Sequence, residues 1–343
     1  MNIGYLKNER VAPMRIRVEA SAPSQAFLFG EHAVLYKKPA LAAGVDRRAK
    51  AIVQEGRDKE LLITSSAYPE PFRGVISGTS IKGEGNPDLE PIALGVAKLF
   101  DLLGKSKGLE IRIDSLVPIG SGMASSASVG AAISKAVSHL LGCELQGEDL
   151  LEAVYEFERI IHGKASKTGP ACAVYGGLVW VEWINGEMRV SLTEFKESLP
   201  LVMICSKEST KTKKMIEKVS ELRSRHSRIV DGILDMIATI TIDGRKAILR
   251  GDLECLGRLM DFNHWLLSAL GVSTPELDRI AWLARKNGAL GAKLSGGGGG
   301  GCVVAVTPNP DSLVSKLKSE GLEAFKIPIA REGARIEHVE GSI

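Results

Sequence analysis

Early in the chain, Ile16, Val18 and Ala20 alternate with Arg15, Arg17 and Glu19, a period of two that predicts a strand. Leu109, Ile111 and Ile113 alternate with Glu110, Arg112 and Asp114 in the same way, and Val117-Pro118 ends that second strand. The period then changes. After Gly120-Ser121-Gly122-Met123-Ala124-Ser125-Ser126, apolar Val129, Ile133, Val137 and Leu140 recur at helical spacing, and Gly142 stops them. The order is strand, Gly/Ser loop, helix.

Leu151, Val154, Phe157 and Ile161 form the stripe of a further helix over Leu150 to Ile161. Glu158 falls on or beside that stripe, while Glu152, Glu156 and Arg159 take the opposite face. A carboxylate turned toward a core needs a cation or donors. An internal salt bridge and a ligand site satisfy that need equally well. Gly176-Gly177 precedes the strand Leu178-Val179-Trp180-Val181, and Asn185-Gly186 predicts a hairpin turn. The charged stretch from Thr193 to Leu199 is the candidate lobe boundary.

The following half is mainly helical to about Asn287. Ser273 is the expected cap of one helix, with Thr274-Pro275 in its first turn and Glu276 at the capping-box position. Leu277, Ile280, Ala281 and Ala284 form its inner face, and Asn287-Gly288 closes it. Ala292-Lys293-Leu294-Ser295 leads into Gly296 to Gly301, and Cys302-Val303-Val304-Ala305-Val306 reads as a buried strand. A glycine run between ordered segments costs chain entropy, and its benefit is a backbone that can approach a ligand.

Composition narrows the picture. The 343 residues suffice for two lobes with real cores, and 44% hydrophobic with 25% charged residues is ordinary for a globular chain. The 44 basic and 41 acidic side chains leave a formal charge of +3, too balanced to suggest nucleic acid or an anionic membrane as partner. Cys143, Cys172, Cys205, Cys255 and Cys302 are scattered without a CxxC pair. That argues against a disulfide framework or zinc site and for a reducing cytoplasm. Met1 to Ala20 carries charges and no signal-peptide core, and no apolar run reaches the ~18 residues of a membrane span.

Three segments carry candidate chemistry. The Gly120–Ser126 loop opens a helix, whose free N–H groups and partial positive charge suit a phosphate. Ser125 and Ser126 add hydroxyls that can reach phosphate or Mg²⁺. A structural Gly/Ser cap has the same look. The loop is no Walker A motif, and Gly104-Lys105-Ser106 has Leu99 where the first glycine belongs. It is no dinucleotide fingerprint either, because Ser125 stands at the third glycine. Glu31 and His32, after an apolar strand, are the second segment, and the glycine run is the third.

Together these segments resemble the motifs of the GHMP kinase superfamily, and within it mevalonate kinases of the archaeal type. Gly30-Glu31-His32-Ala33-Val34 matches the first motif. Pro118-Ile119-Gly120-Ser121-Gly122-Met123-Ala124-Ser125-Ser126-Ala127 matches the phosphate loop, with Ala124 for a usual glycine. Lys293-Leu294-Ser295 with the glycines and Cys302 matches the third, with Ser295 for threonine and Gly297 for alanine. Met260-Asp261-Phe262-Asn263-His264 and Leu270 to Pro275 are also similar to mevalonate kinases.

The resemblance implies an α/β (α+β) two-lobe fold. A ribosomal-protein-S5-like ATP-binding lobe would span 1–192 and a ferredoxin-like GHMP lobe 193–343. It implies ATP on Pro118, Gly120, Ser121, Gly122, Ala124, Ser125 and Ser126, and Mg²⁺ on Ser126 and Glu158. Glu31, His32, Ser166, Thr212, Gly296, Gly297 and Gly298 would face a small hydroxy acid, mevalonate above all. A homodimer is compatible with it. Two matched positions depart from the family: Gln25 stands where the family has lysine, and Gly169 where it has the aspartate base, with Pro170 next. Lys164, Lys167, Lys211 and Lys213 are candidates to replace the cation, although each also fits an ordinary surface lysine. Three functions stay open: a kinase without the usual base, a kinase with another acceptor or regiochemistry such as a mevalonate 3-kinase, and a non-catalytic nucleotide or metabolite binder.

Overall fold

A computed structural model describes residues 15–77, 80–117, 120–195, 199–208 and 212–341. Pro118, Ile119 and Lys211 from the motifs above lie outside these. Strand β1 (Arg17–Phe29) continues the alternating segment through Ala22-Pro23-Ser24-Gln25 and pairs antiparallel with β2 (Ala40–Glu55). One 3-10 turn, Ala33–Tyr36, joins them. β3 (Glu60–Ser65), β4 (Tyr68–Ser77) and β5 (Ser80–Gly85) follow, then α1 (Glu90–Leu103). β6 (Leu109–Ser115) inserts between β2 and β3, antiparallel to the first and parallel to the second. The expected second strand is therefore central, which its fully buried Leu109 explains.

Helices α2 (Ser125–Leu140) and α4 (Thr168–Tyr175) lie on β1 and β2, and α3 (Gly147–His162) stacks on α2 and α1. The anticipated Asn185-Gly186 hairpin joins β7 (Leu178–Ile184) to β8 (Glu187–Leu192), with both turn residues at positive φ. A second sheet, all antiparallel among the described residues, has the order β10 (Gly291–Ser295), β11 (Cys302–Val306), β9 (Leu201–Cys205), β12 (Glu323–Lys326). Helices α5 (Thr212–Arg225), α6 (Ser227–Arg250), α7 (Leu253–Ala269), α8 (Pro275–Lys286) and α9 (Pro310–Ser319) accompany it. β13 (Arg335–Glu340) then crosses back and pairs with β1 of the first sheet. A cluster of Phe29, Leu41, Met123, Met203, Met260 and Val304 draws on both sheets and joins them.

Two local expectations need correction. The cap of α8 is Thr274, whose Oγ1 accepts from Leu277 N at 3.2 Å, and Ser273 donates instead to Asp278 at 2.5 Å. Pro275 occupies the first helical position, so the capping side chain falls on its predecessor. The cysteine reading also fails in part, because Cys205 and Cys302 form a disulfide. They oppose each other directly on β9 and β11, a proximity made by antiparallel register across 97 residues of chain. Cys143, Cys172 and Cys255 are free thiols.

Candidate functional site

The two glycine segments meet. A Cβ on Gly122 would lie 2.3 Å from the Ser295 carbonyl oxygen, and one on Gly296 2.6 Å from the Gly122 carbonyl oxygen. Only glycine permits this approach, and both residues have positive φ. The Cys302 N–H donates to the Ser121 carbonyl at 3.1 Å, which fixes β11 on the loop. The loop therefore lies backbone to backbone on the run between β10 and β11, at the start of α2. Ala124 caps that helix in the left-handed region without a side-chain acceptor, so its first N–H groups are left for an anion.

Ser126, in the first turn of α2, and Glu158 both lie near His162. Ser126 Oγ lies 3.2 Å from His162 Nε2, and that nitrogen is 3.9 Å from Glu158 Oε2. Glu158 is 8% exposed, and its Oε1 has no hydrogen-bond partner among the described residues. Its helical spacing puts it on the inner face of α3, where the salt-bridge alternative finds only a histidine at long range. A carboxylate with one orphaned oxygen, sharing the neighbourhood of His162 with a serine hydroxyl, fits a hard cation that prefers oxygen ligands. Among the described residues no group of three His, Cys, Asp or Glu could cage a metal. Such an ion would have to take further ligands from substrate phosphates or water.

Glu31 is placed differently from the acceptor-facing role implied above. Its carboxylate is buried against Lys293 Nζ, and Asn263 Nδ2 donates to its Oε2 at 3.3 Å. Lys293 also donates to the Leu294 carbonyl at 2.6 Å and the Phe27 carbonyl at 3.4 Å. Burial pushes the Glu31 carboxyl up and the Lys293 ammonium down, and their mutual attraction opposes both shifts. This pair clamps the end of β1 to β10. Ser295 adds a second clasp by accepting from Phe27 N at 2.9 Å. The sequence reading gave Lys293 and Asn263 no role. The available signal was a lysine inside a strand whose five residues are all apolar, small or hydroxylic otherwise.

His32 follows at φ 59, a conformation that costs a non-glycine residue free energy and persists only when its surroundings hold it. Its Nε2–H donates to the Gly297 carbonyl at 2.9 Å, since a carbonyl can only accept. Burial holds this imidazole below its ordinary value, offset by that hydrogen bond. Thr212 packs on the same glycine, its Cγ2 3.0 Å from where a Gly297 Cβ would be. His32, Thr212 and the glycines thus share one wall, with Gly298 packed on Val272 beyond it.

The two departing positions are also neighbours. Gln25 N donates to the Met123 carbonyl at 3.0 Å, and Gln25 Oε1 lies 3.7 Å from where a Gly169 Cβ would be. Ser166 turns to Thr168 Oγ1 at 3.0 Å. Of the lysines considered as substitutes, Lys167 is engaged by Glu148 and Glu152, while Lys164 and Lys213 are exposed.

Known proteins agree with this geometry. Residues 91–177 match the GHMP kinases N terminal domain, and 245–322 match the GHMP kinases C terminal family. The mevalonate kinase of Thermococcus sibiricus is 34% identical over 336 residues, covering 94% of this chain and 99% of that protein. That of Archaeoglobus fulgidus is 34% identical over 321 residues, 93% of this chain and 99% of its own. Among solved structures, L. major mevalonate kinase in complex with R-mevalonate superposes with a TM-score of 0.76 at 25% identity, covering 96% of this chain and 100% of that one. Methanococcus jannaschii mevalonate kinase gives 0.73 at 28% identity, covering 94% and 99%. Two sheets joined by one core cluster, glycine segments in backbone contact and near-complete coverage by these relatives have one meaning: the chain belongs to the mevalonate kinase family of the GHMP kinases.

Proposed function

We propose that the protein transfers the γ-phosphoryl group of ATP to an alcohol of a small hydroxy acid, with mevalonate as the acceptor. The observation that carries this reading is the contact of the Gly120–Ser126 turn with the Ser295–Gly301 run, together with the orphaned Glu158 oxygen. The turn would bind the triphosphate through N–H groups of Gly122 to Ser126 and the N-terminal end of α2. Ser126 and Glu158 would hold Mg²⁺, which when bound neutralises charge on the phosphates. The glycine run brings backbone close to the transferring group, and His32, Thr212 and Ser166 would line the acceptor. Catalysis of this kind is mostly positioning and charge neutralisation, and both are available here without a side-chain base.

The lobes proposed at 1–192 and 193–343 would meet along this seam, with β13 returned to the first. The reading implies a cytoplasmic enzyme acting on a free metabolite. Among the described residues no helix is long and apolar enough to cross a membrane.

Coupled ADP release over a panel of small hydroxy acids tests the proposal, with the phosphorylated position read by phosphorus NMR. Turnover of mevalonate is the expected result. ATP-dependent thermal stabilisation without turnover of any alcohol would sink it. Glu158→Gln and Ser126→Ala should each lower kcat/KM for Mg·ATP by about 10²-fold, and unchanged values in both would remove the metal assignment.

A further inference from the structure

The run from Gly296 to Gly301 has no side chains to stiffen it, so its shape depends on its two feet and on the backbone bonds it makes. Those feet are Ser295 and Cys302, which oppose each other on β10 and β11. Ser295 is clasped to Phe27 of β1. Cys302 is held twice: its N–H donates to the Ser121 carbonyl, and its sulfur is bonded to Cys205 of β9. The chain that leaves β9 stays on the same foot. Ser206 N donates to the Gly301 carbonyl at 2.8 Å, and Gly301 N donates to the Glu208 carbonyl at 2.8 Å. A Cβ on Gly301 would lie 2.9 Å from the Ser121 carbonyl oxygen. The phosphate turn, the end of the glycine run and residues 206–208 therefore meet at one junction, and the disulfide is its covalent member. Where thiols are abundant, a protein disulfide undergoes exchange, and its usual role is sensing or catalysis.

We infer that the Cys205–Cys302 disulfide is a redox-sensitive tie on the nucleotide site: closed, it gives tight binding of Mg·ATP, and a dithiol opens it to a weaker-binding form. The inference rests on the kinase reading above and adds a regulation to the same site. A thiolate of the dithiol attacks the sulfur of Cys205, which is 7% exposed, whereas Cys302 is fully buried. A mixed disulfide forms, and Cys302 leaves as a thiolate that takes up a proton. The second thiol of the reagent then closes on the first, releasing Cys205 as a thiolate that is protonated in turn. Two electrons and two protons have passed from the dithiol to the protein, and the reagent departs as a cyclic disulfide. With the bond open, hydrogen bonds alone fix the foot of the run. Backbone made of glycine then spreads over more conformations, and binding Mg·ATP has to order it again, which lowers affinity.

The test equilibrates the full-length chain with mixtures of reduced and oxidised dithiothreitol. Thiols are counted after quenching and denaturation, and Mg·ATP binding is measured by titration calorimetry. The oxidised protein should show three thiols, Cys143, Cys172 and Cys255, and the reduced protein five. Reduction should weaken Mg·ATP binding by about 5- to 20-fold. Linkage is reciprocal, so saturating Mg·ATP should shift the redox equilibrium of the wild type toward the disulfide by that same factor. Cys205→Ser should bind Mg·ATP as the reduced wild type does in either buffer, while Cys143→Ser and Cys255→Ser keep the redox response. Loss of the response in either of these two would assign it to another thiol and overturn the inference. Five thiols in the oxidised protein would overturn it as well. A disulfide that only supported the fold would lower the melting temperature on reduction, leave Kd for Mg·ATP equal in both forms and leave the redox equilibrium blind to Mg·ATP, and that result too would overturn it. If neither form binds Mg·ATP, the kinase reading itself falls and takes this inference with it.

Discussion

Glu31 and Gln25 are near neighbours in sequence on the same run of chain, and both are buried polar side chains. One is fully engaged inside the protein, its carboxylate shared between Lys293 and Asn263. The other ends in an oxygen that no described residue satisfies. The difference separates architecture from chemistry. A buried group whose partners belong to the chain holds elements in place, and one without partners among the described residues has capacity left for a ligand. Glu158 Oε1 falls in the second class with Gln25, and Lys293 in the first with Glu31.

The largest effect should come from breaking the engaged pair. Lys293→Met leaves the Glu31 carboxylate buried and unpaired, which should cost about 3–5 kcal/mol of stability. Adding Glu31→Gln should recover most of that loss, because the uncompensated charge is then gone. Urea unfolding, read as a shift in midpoint at constant slope, measures both. A Lys293→Met protein as stable as the wild type would remove the pair from the architectural class.

Behind the same strand, His264 provides the next test. Its Nδ1 accepts from Leu294 N at 3.1 Å, and its Nε2 lies 3.1 Å from Asp278 Oδ1. Burial lowers this imidazole to about 4 from 6.5, although Asp278 pulls the other way. The folded state therefore favours the neutral ring, while the unfolded chain protonates it below 6.5. Stability is full above that value and drains away as pH falls toward 4, by on the order of 3 kcal/mol. Thermal unfolding between neutral pH and pH 4 should show the decline in the wild type and a shallower one in His264→Gln. Equal slopes would show that carboxylates elsewhere govern the acid limb.

Much of this was legible beforehand. The strand at Leu109, the helix after Ser126, the hairpin at Asn185-Gly186 and the inward face of Glu158 follow from local periodicity and turn chemistry. Contacts made by tertiary register were not. The approach of Cys205 to Cys302 depends on which strands become neighbours, and scattered spacing says nothing of that. Glu31 looked like a ligand residue because it sits in a motif, yet its partner comes from Lys293, far along the chain. The adjacency of Gln25, Ala124 and Gly169 was invisible for the same reason: three departures spread over the sequence become one surface only when α2 and α4 lie on β1.

The smallest effect bears on that surface. Ala124 holds φ 52 and ψ 48, a left-handed conformation that costs a residue with a Cβ roughly 1–2 kcal/mol. Glycine would relieve the strain but adds freedom to the unfolded chain, worth ~0.4–1 kcal/mol against it. Ala124→Gly should therefore stabilise the fold by about 1 kcal/mol or less, seen as a small rise in the urea midpoint. Gly169→Ala then reports on the shared space. In the wild type its gain in helix propensity, about 1 kcal/mol, works against a methyl contact of 3.1 Å. In the Ala124→Gly background that contact is gone and the gain should emerge whole. If the two substitutions simply add, the Ala124 methyl is not what keeps position 169 bare.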